Sequence, residues 1–309
     1  MRQSIRGYTD GIIERTDPSG LASLAAELGA VRDVIGDSDD LRRVLSDPGI
    51  GLAARRGVLT DLFGSRVGAA TMRLISFVLD ADRAPDTVDD IAWLASRLRA
   101  AADRMTPVAD GVLGHKAAEE RLDGYATAVL ETVEGGHDLD EIEDELFRFQ
   151  RVVAGSDQLR TVLTSRDVPA DMRREVVSDL LSAKASPATT SMAAYATTVG
   201  RPRDYQDLLE ALVTRVASES NRRLAEVRAA VEMDDTQQRH LADALKRAVG
   251  HDVQIRVTVD PSVVGGFVAT IGDTVVDASA RHQLELLKER LVMPEVRITT
   301  GQVTTEERQ

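Results

Sequence analysis

Residues 259–291 read VDPSVVGGFVATIGDTVVDASARHQLELLKERL, and the order of signals within them decides how the chain ends. Asp260-Pro261 closes an alternating strand, because proline fixes φ and cannot donate to a ladder. Gly265-Gly266 marks a point where the backbone takes positive φ or runs close against another segment. Phe267 to Ile271 then reads as a strand, Gly272-Asp273 as a two-residue hairpin turn with glycine first, and Thr274 to Val276 as the return strand. A helix should follow, with Asp277 or Ser279 as its N-cap and Leu284, Leu287 and Leu291 as its apolar stripe.

Working outward, Val253, Ile255, Val257 and Val259 alternate strictly and predict the strand before the turn. Asp235 is placed to cap a helix over 236–249, with Leu241, Leu245 and Ala248 inward and Gly250 as its stop. Leu224 to Val231 alternates as well, putting Val227, Ala229 and Val231 on one face of a further strand. The expected C-terminal domain, 222–292, is therefore a small α/β unit of order β-α-β-hairpin-α, followed by a polar tail, 293–309.

Upstream of it the period changes from two to 3.6. Ile5, Tyr8 and Ile12 share a face over 4–14, and Leu21, Leu24, Leu28, Val31 and Ile35 share one over 19–35. Shorter helices are expected at 39–45 and 51–63, then at 69–79 and from Val88 to about Met105. The pattern then recurs. SDDLRRVLSDPGIGLAARRGVLTDLF at 38–63 and SDQLRTVLTSRDVPADMRREVVSDLL at 156–181 agree at eleven of twenty-six ungapped positions, at a constant offset of 118. Gly7-Tyr8 and Gly124-Tyr125 fall within one residue of that register. Two tandem six-helix-type bundles are predicted, 1–105 and 116–221, joined by a linker at 106–115 and closed by a long helix over 205–221. The fold class is mainly α with a small α/β C-terminal domain.

Composition narrows the function. The chain has 309 residues, no cysteine and a net charge of −13. Nucleic acid is a poor partner for such a charge, since phosphate binding needs clustered Lys and Arg. Without cysteine there is no disulfide, thiolate metal site or thiol nucleophile. No window approaches 18 uncharged apolar residues, and the first twenty residues lack a signal-peptide core.

Chemical motifs are missing too. His115, His137, His240, His251 and His282 are scattered with no i, i+4 pair, and there is no phosphate loop or G-x-S-x-G elbow. The acidic runs 37–40 and 138–145 read as solvated helix starts. Arg55-Arg56 and Arg173-Arg174 recur in both copies, either as solvated helix faces or as contacts for an acidic partner. Asp273 and Asp277 flank the return strand, where turn and N-cap roles explain them more simply than a cation site.

Val259-Asp260-Pro261, Gly265-Gly266, Ile271-Gly272-Asp273, Val276-Asp277, Ser279 and Leu284 together resemble the C-terminal signature of the delta (OSCP) family of F-type ATP synthase subunits, with Ala278 where that family usually has glycine. Tyr125-Ala126 and Gly200-Arg201 resemble its N-terminal bundle, and Tyr8-Thr9 and Asp82-Arg83 match it less closely, as in a diverged duplicate. The resemblance implies a non-catalytic stator subunit without cofactor. Its partners would be the N-terminal helix of an alpha subunit, at the second bundle, and the C-terminal end of b, at the α/β unit. It would lie at the cytoplasmic face of the membrane, peripheral through the complex. Asp260, Pro261, Gly265, Gly266, Gly272, Asp273, Asp277 and Ser279 would be structural signature residues. The first bundle is expected to brace stalk or head, and a longer b-delta fusion is a further possibility. A helical-repeat adaptor and a metal enzyme using Asp273 and Asp277 are the rival classes.

Overall fold

The computed structural model describes residues 2–81, 87–105, 112–133, 136–249, 253–271 and 274–280. Two compact units divide the chain, 1–220 and 221–309.

In the first unit, α1 (Gln3–Arg15), α2 (Pro18–Gly36), α3 (Asp39–Ser46), α4 (Leu52–Phe63), α5 (Ala69–Ala81) and α6 (Thr87–Ala102) form one bundle. Its core gathers Ile5, Tyr8, Leu28, Ile35, Leu59, Ile75 and Leu94, the positions set by the 3.6 period. The second bundle repeats it with α7 (His115–Leu130), α8 (Gly136–Gly155), α9 (Asp157–Thr164), α10 (Ala170–Leu181), α11 (Pro187–Val199) and α12 (Tyr205–Arg223). Tyr125, Leu146, Leu163, Val177, Met192, Leu208 and Leu212 fill that core.

Equivalent caps start equivalent helices. Ser38 accepts from the Leu41 amide at 3.2 Å and Ser156 from the Leu159 amide at 3.3 Å. Where α6 was expected to reach Met105 it stops at Ala102. Arg104 adopts φ 54°, and the amides of Arg104 and Met105 fold back onto the carbonyls of Ala101 and Ala100, a closure in which glycine is the usual left-handed residue.

In the second unit, β1 (Leu224–Ala229), β2 (Gln254–Val259), β3 (Phe267–Ile271) and β4 (Thr274–Asp277) form a sheet of order β2-β1-β3-β4. The β1–β2 pair is parallel, joined by α13 (Asp235–Val249), and the other pairs are antiparallel. Leu241 and Leu245 of α13 cover Ala225, Val227, Ala269 and Ile271. Two sequence expectations need correction. β1 ends at Ala229, leaving Val231 outside the strand and 69% exposed. Asp234 rather than Asp235 caps α13, accepting from the amides of Thr236 and Gln237 at 2.9 and 2.8 Å. The helix expected beyond Ser279, with Leu284, Leu287 and Leu291, lies outside the described residues, as does the 272–273 turn.

Candidate functional site: the glycine turn and the joint between the repeats

Asp260 ends β2 with its amide donating to the Ala229 carbonyl at 2.9 Å. Its carboxylate accepts from the Ser262 amide at 2.9 Å and faces Arg228 at 3.4 Å. The hydrogen bonds from the Ser262 side chain and amide hold the Asp260 carboxyl below the usual aspartate range. Pro261 opens the following turn.

Gly265 and Gly266 then take φ of 70° and 74°, the left-handed region where only glycine is free of strain. A Cβ on Gly266 would stand 2.3 Å from the Ala278 carbonyl oxygen. The carbonyls of the pair are engaged, that of Gly265 by the Ala280 amide at 3.1 Å and that of Gly266 by the Ala230 amide at 3.2 Å. Asp277 turns back to accept from the Ser279 amide at 2.9 Å, and Ser279 is buried. The pair thus tucks the end of the hairpin against the end of β1. Gly272 and Asp273 lie outside the described residues, so the Asp273–Asp277 pairing of the metal reading is not described. Among the described residues, no group of three His, Asp or Glu side chains converges on a point where a metal ion could sit.

The least anticipated geometry is where the two bundles meet, along α1 and α7. A Cβ on Gly7 would lie 1.7 Å from the Arg121 carbonyl oxygen, and one on Gly124 would lie 1.9 Å from that of Ser4. These contacts are reciprocal: shifting by 117 turns Gly7 into Gly124 and Ser4 into Arg121. Gly11 faces Ala128 one turn further along both helices, its Cβ position 2.7 Å from the Ala128 methyl. Backbones approach this closely only across small residues.

Hydrogen bonds obey the same exchange. The Tyr8 hydroxyl donates to Glu131 at 2.5 Å, and the Tyr125 hydroxyl donates to Glu14 at 2.6 Å. Each tyrosine also stacks within its own bundle, Tyr8 on Phe77 and Tyr125 on Tyr195, with ring centroids 4.1 and 3.8 Å apart. Burial, then the bond to Glu14, pushes the Tyr125 hydroxyl up to about 12; burial and the Glu131 charge raise Tyr8 further.

One cluster breaks the symmetry. Asp10 accepts from Arg121 and from the Tyr195 hydroxyl, both at 2.7 Å, and pairs with Arg97 at 3.6 Å. Its counterpart on α7 is Thr127.

Two further internal devices recur. Arg55 and Arg173 are buried, which overturns both readings of them as surface groups. Arg55 donates to the carbonyls of Ile50 and Leu45, while Arg173 donates to those of Ser165, Val168 and Thr197. Their neighbours Arg56 and Arg174 pair with Asp80 and with Glu14. Glu145, read as part of a solvated run, is buried and accepts from the Ser186 amide and hydroxyl and the Thr189 hydroxyl, at the N-terminus of α11. Glu27 does the same for α5 through the Gly68 amide and Thr71 hydroxyl. Burial pushes the Glu145 carboxyl up, but the hydrogen bonds from Thr189 and Ser186 outweigh it and hold it below the ordinary glutamate value.

The one signal for the joint was the small-residue spacing Gly7-x-x-x-Gly11 and Gly124-x-x-x-Ala128. The outer surface of the second bundle carries apolar side chains, with Phe147, Val152, Met172 and Leu180 exposed. A cleft of about 200 Å³ runs between α8 and α10 beside Phe149, Val152 and Leu180.

A family model for the ATP synthase delta (OSCP) subunit matches residues 6–108 and 123–291. A protein of Kineococcus radiotolerans named ATP synthase subunit delta is 34% identical, over 86% of this chain and 86% of its own length. Its namesake in Beutenbergia cavernae is 32% identical over 94% of this chain and 99% of its own length. That of Streptomyces griseus is 30% identical over 93% and 95%.

Proposed function

The chain belongs to the ATP synthase delta (OSCP) subunit family and is a peripheral-stalk subunit of an F-type ATP synthase; from that premise we propose how its parts share the work. The second bundle, 116–221, holds the N-terminal helix of an alpha subunit. The α/β unit around Gly265 meets the C-terminal end of b, and the first bundle braces the stalk or head. The work is mechanical and no reaction takes place on this chain. The subunit keeps the catalytic head from turning with the rotor, at the cytoplasmic face of the membrane. None of the described helices is long and apolar enough to cross a membrane.

The observation that carries this division is the presence of two compact units, 1–220 and 221–309, each with its own core. Two partners can be gripped by separate bodies. The exposed Phe147, Val152, Met172 and Leu180 supply the kind of apolar face that an amphipathic helix covers. Contacts that resist torque need an ordinary interface or more, on the order of 1,200 Å² in total.

Cross-linking in the assembled enzyme tests the division, because the chain has no cysteine of its own. Met172 and Val275 are 57% and 62% exposed, one in each unit. A photo-reactive group on M172C should capture alpha, and one on V275C should capture b. Capture of b from M172C and of alpha from V275C would reverse the assignment.

A further inference from the structure

Resting on the stator reading, we propose that α1 and α7 form a permanently closed internal joint. The two bundles then bear load as one rigid body, and the face between α7 and α11 is filled by this chain's own first helix rather than by a partner's.

The closeness of the joint is the first support. Gly7 and Gly124 each sit where any side chain would run into the other helix's backbone, and Gly11 seats against an Ala128 that is 1% exposed. A surface held ready for an exchangeable ligand does not need the two backbones in reciprocal contact where the helices cross; a fixed joint does.

Occupancy is the second. α1 reaches past α7 to α11, where Asp10 accepts from the Tyr195 hydroxyl at 2.7 Å and Arg15 donates to the Ser191 hydroxyl at 2.8 Å. Arg174 of α10 closes on Glu14 at 2.8 Å. Glu14 is thereby held by a residue of α10 and by Tyr125 of α7. An outside helix could use this face only by breaking these contacts together.

The third support is selectivity. Asp10 corresponds to Thr127 and Arg121 to Ser4 under the exchange of copies. Two second bundles from different molecules, joined by the same geometry, would set Arg121 against Thr127. Two first bundles would set Asp10 against Ser4. Arg121 and Asp10 are only 13% and 17% exposed at their side chains; in the first mismatch Arg121 loses the carboxylate of Asp10, and in the second Asp10 trades its 2.7 Å contact with Arg121 for Arg97 alone at 3.6 Å. The joint therefore favours unlike copies in one chain over association of two chains.

The test labels a thiol at A128C, beneath α1, with M172C as the exposed control. Maleimide should react at A128C about 100-fold more slowly than at M172C, both in the free chain and after binding to the alpha–beta head. Rapid reaction at A128C once the head is bound, with the chain still associated, would overturn the closed joint and leave the stator reading standing. A protected A128C with no association to the head would instead remove the stator reading, and with it the load assigned to the joint. Should A128C not fold, amide exchange of the unsubstituted chain gives the same answer. Exchange in α1 and α7 should stay equally slow on binding the head, and faster exchange there would overturn the proposal.

Discussion

The two helical bundles are the same construction built twice, and they differ in how strongly each internal device is made. Both cap their third helix with serine, both tie the fifth helix's start to a glutamate of the second, and both bury an arginine of the fourth under loop carbonyls. Yet Arg173 meets three carbonyls where Arg55 meets two, and Glu145 draws both an amide and two hydroxyls where Glu27 draws one of each. Features common to both copies are what the six-helix architecture requires. Features on one side, above all the Asp10–Arg121–Tyr195 cluster, orient one copy against the other.

The largest effects belong to the joint. Gly124→Leu and Gly7→Leu should each destabilise the helical unit by about 3 kcal/mol or more, because the added side chain meets backbone that cannot yield. Urea unfolding checks this, and unequal losses would show that the joint is not reciprocal. Next come the buried arginines. Arg173→Met should cost about 3 kcal/mol and Arg55→Met about 2 kcal/mol, in proportion to the carbonyls left without a donor. Equal costs in thermal melts would mean that the extra bond to Thr197 adds nothing.

Glu145→Gln should cost about 1–2 kcal/mol at neutral pH, as the charge-assisted bonds from Ser186 and Thr189 are lost. The sign with pH follows from its depressed folded value. The contribution is fully present above the unfolded glutamate value of about 4.3 and disappears as pH falls through the folded one. The variant should therefore lose less stability than the unsubstituted chain between pH 4.3 and more acid conditions, in melts recorded across that window. The smallest effects have the opposite sign. Gly29 and Gly57 sit within α2 and α4 with open space around them, and their counterparts in the second copy are Phe147 and Glu175. Gly29→Ala and Gly57→Ala should each raise stability by about 0.5–1 kcal/mol.

Much of this architecture is legible in the chain because it is local. Apolar spacing places α1 through α5 within a few residues, and alternation about Val257 and Ala269 places the sheet. The glycine pair is legible as a turn because Asp260-Pro261 before it and the hairpin after it leave little else for two glycines to do. The sites that hold the copies together are not local. Arg173 has the spacing of a surface residue, and it is the loop from Ser165 to Val168 and the Thr197 carbonyl of α11 that make it internal. Glu145 lies in a run of acids whose other members are exposed or half-buried, and its partners are some forty residues on. Gly7 and Gly124 stand out in sequence as markers of the repeat, but their contact joins segments more than a hundred residues apart. No window of sequence holds both sides of it.

Whether the two bundles act as one body is open to direct measurement. Trp93 is the chain's single tryptophan and reports on the first bundle, while a fluorescent label at M172C reports on the second. In urea the two signals should fall along one coincident curve, and Gly124→Leu should pull them apart into separate midpoints. Separate midpoints in the unsubstituted helical unit would contradict the single rigid body.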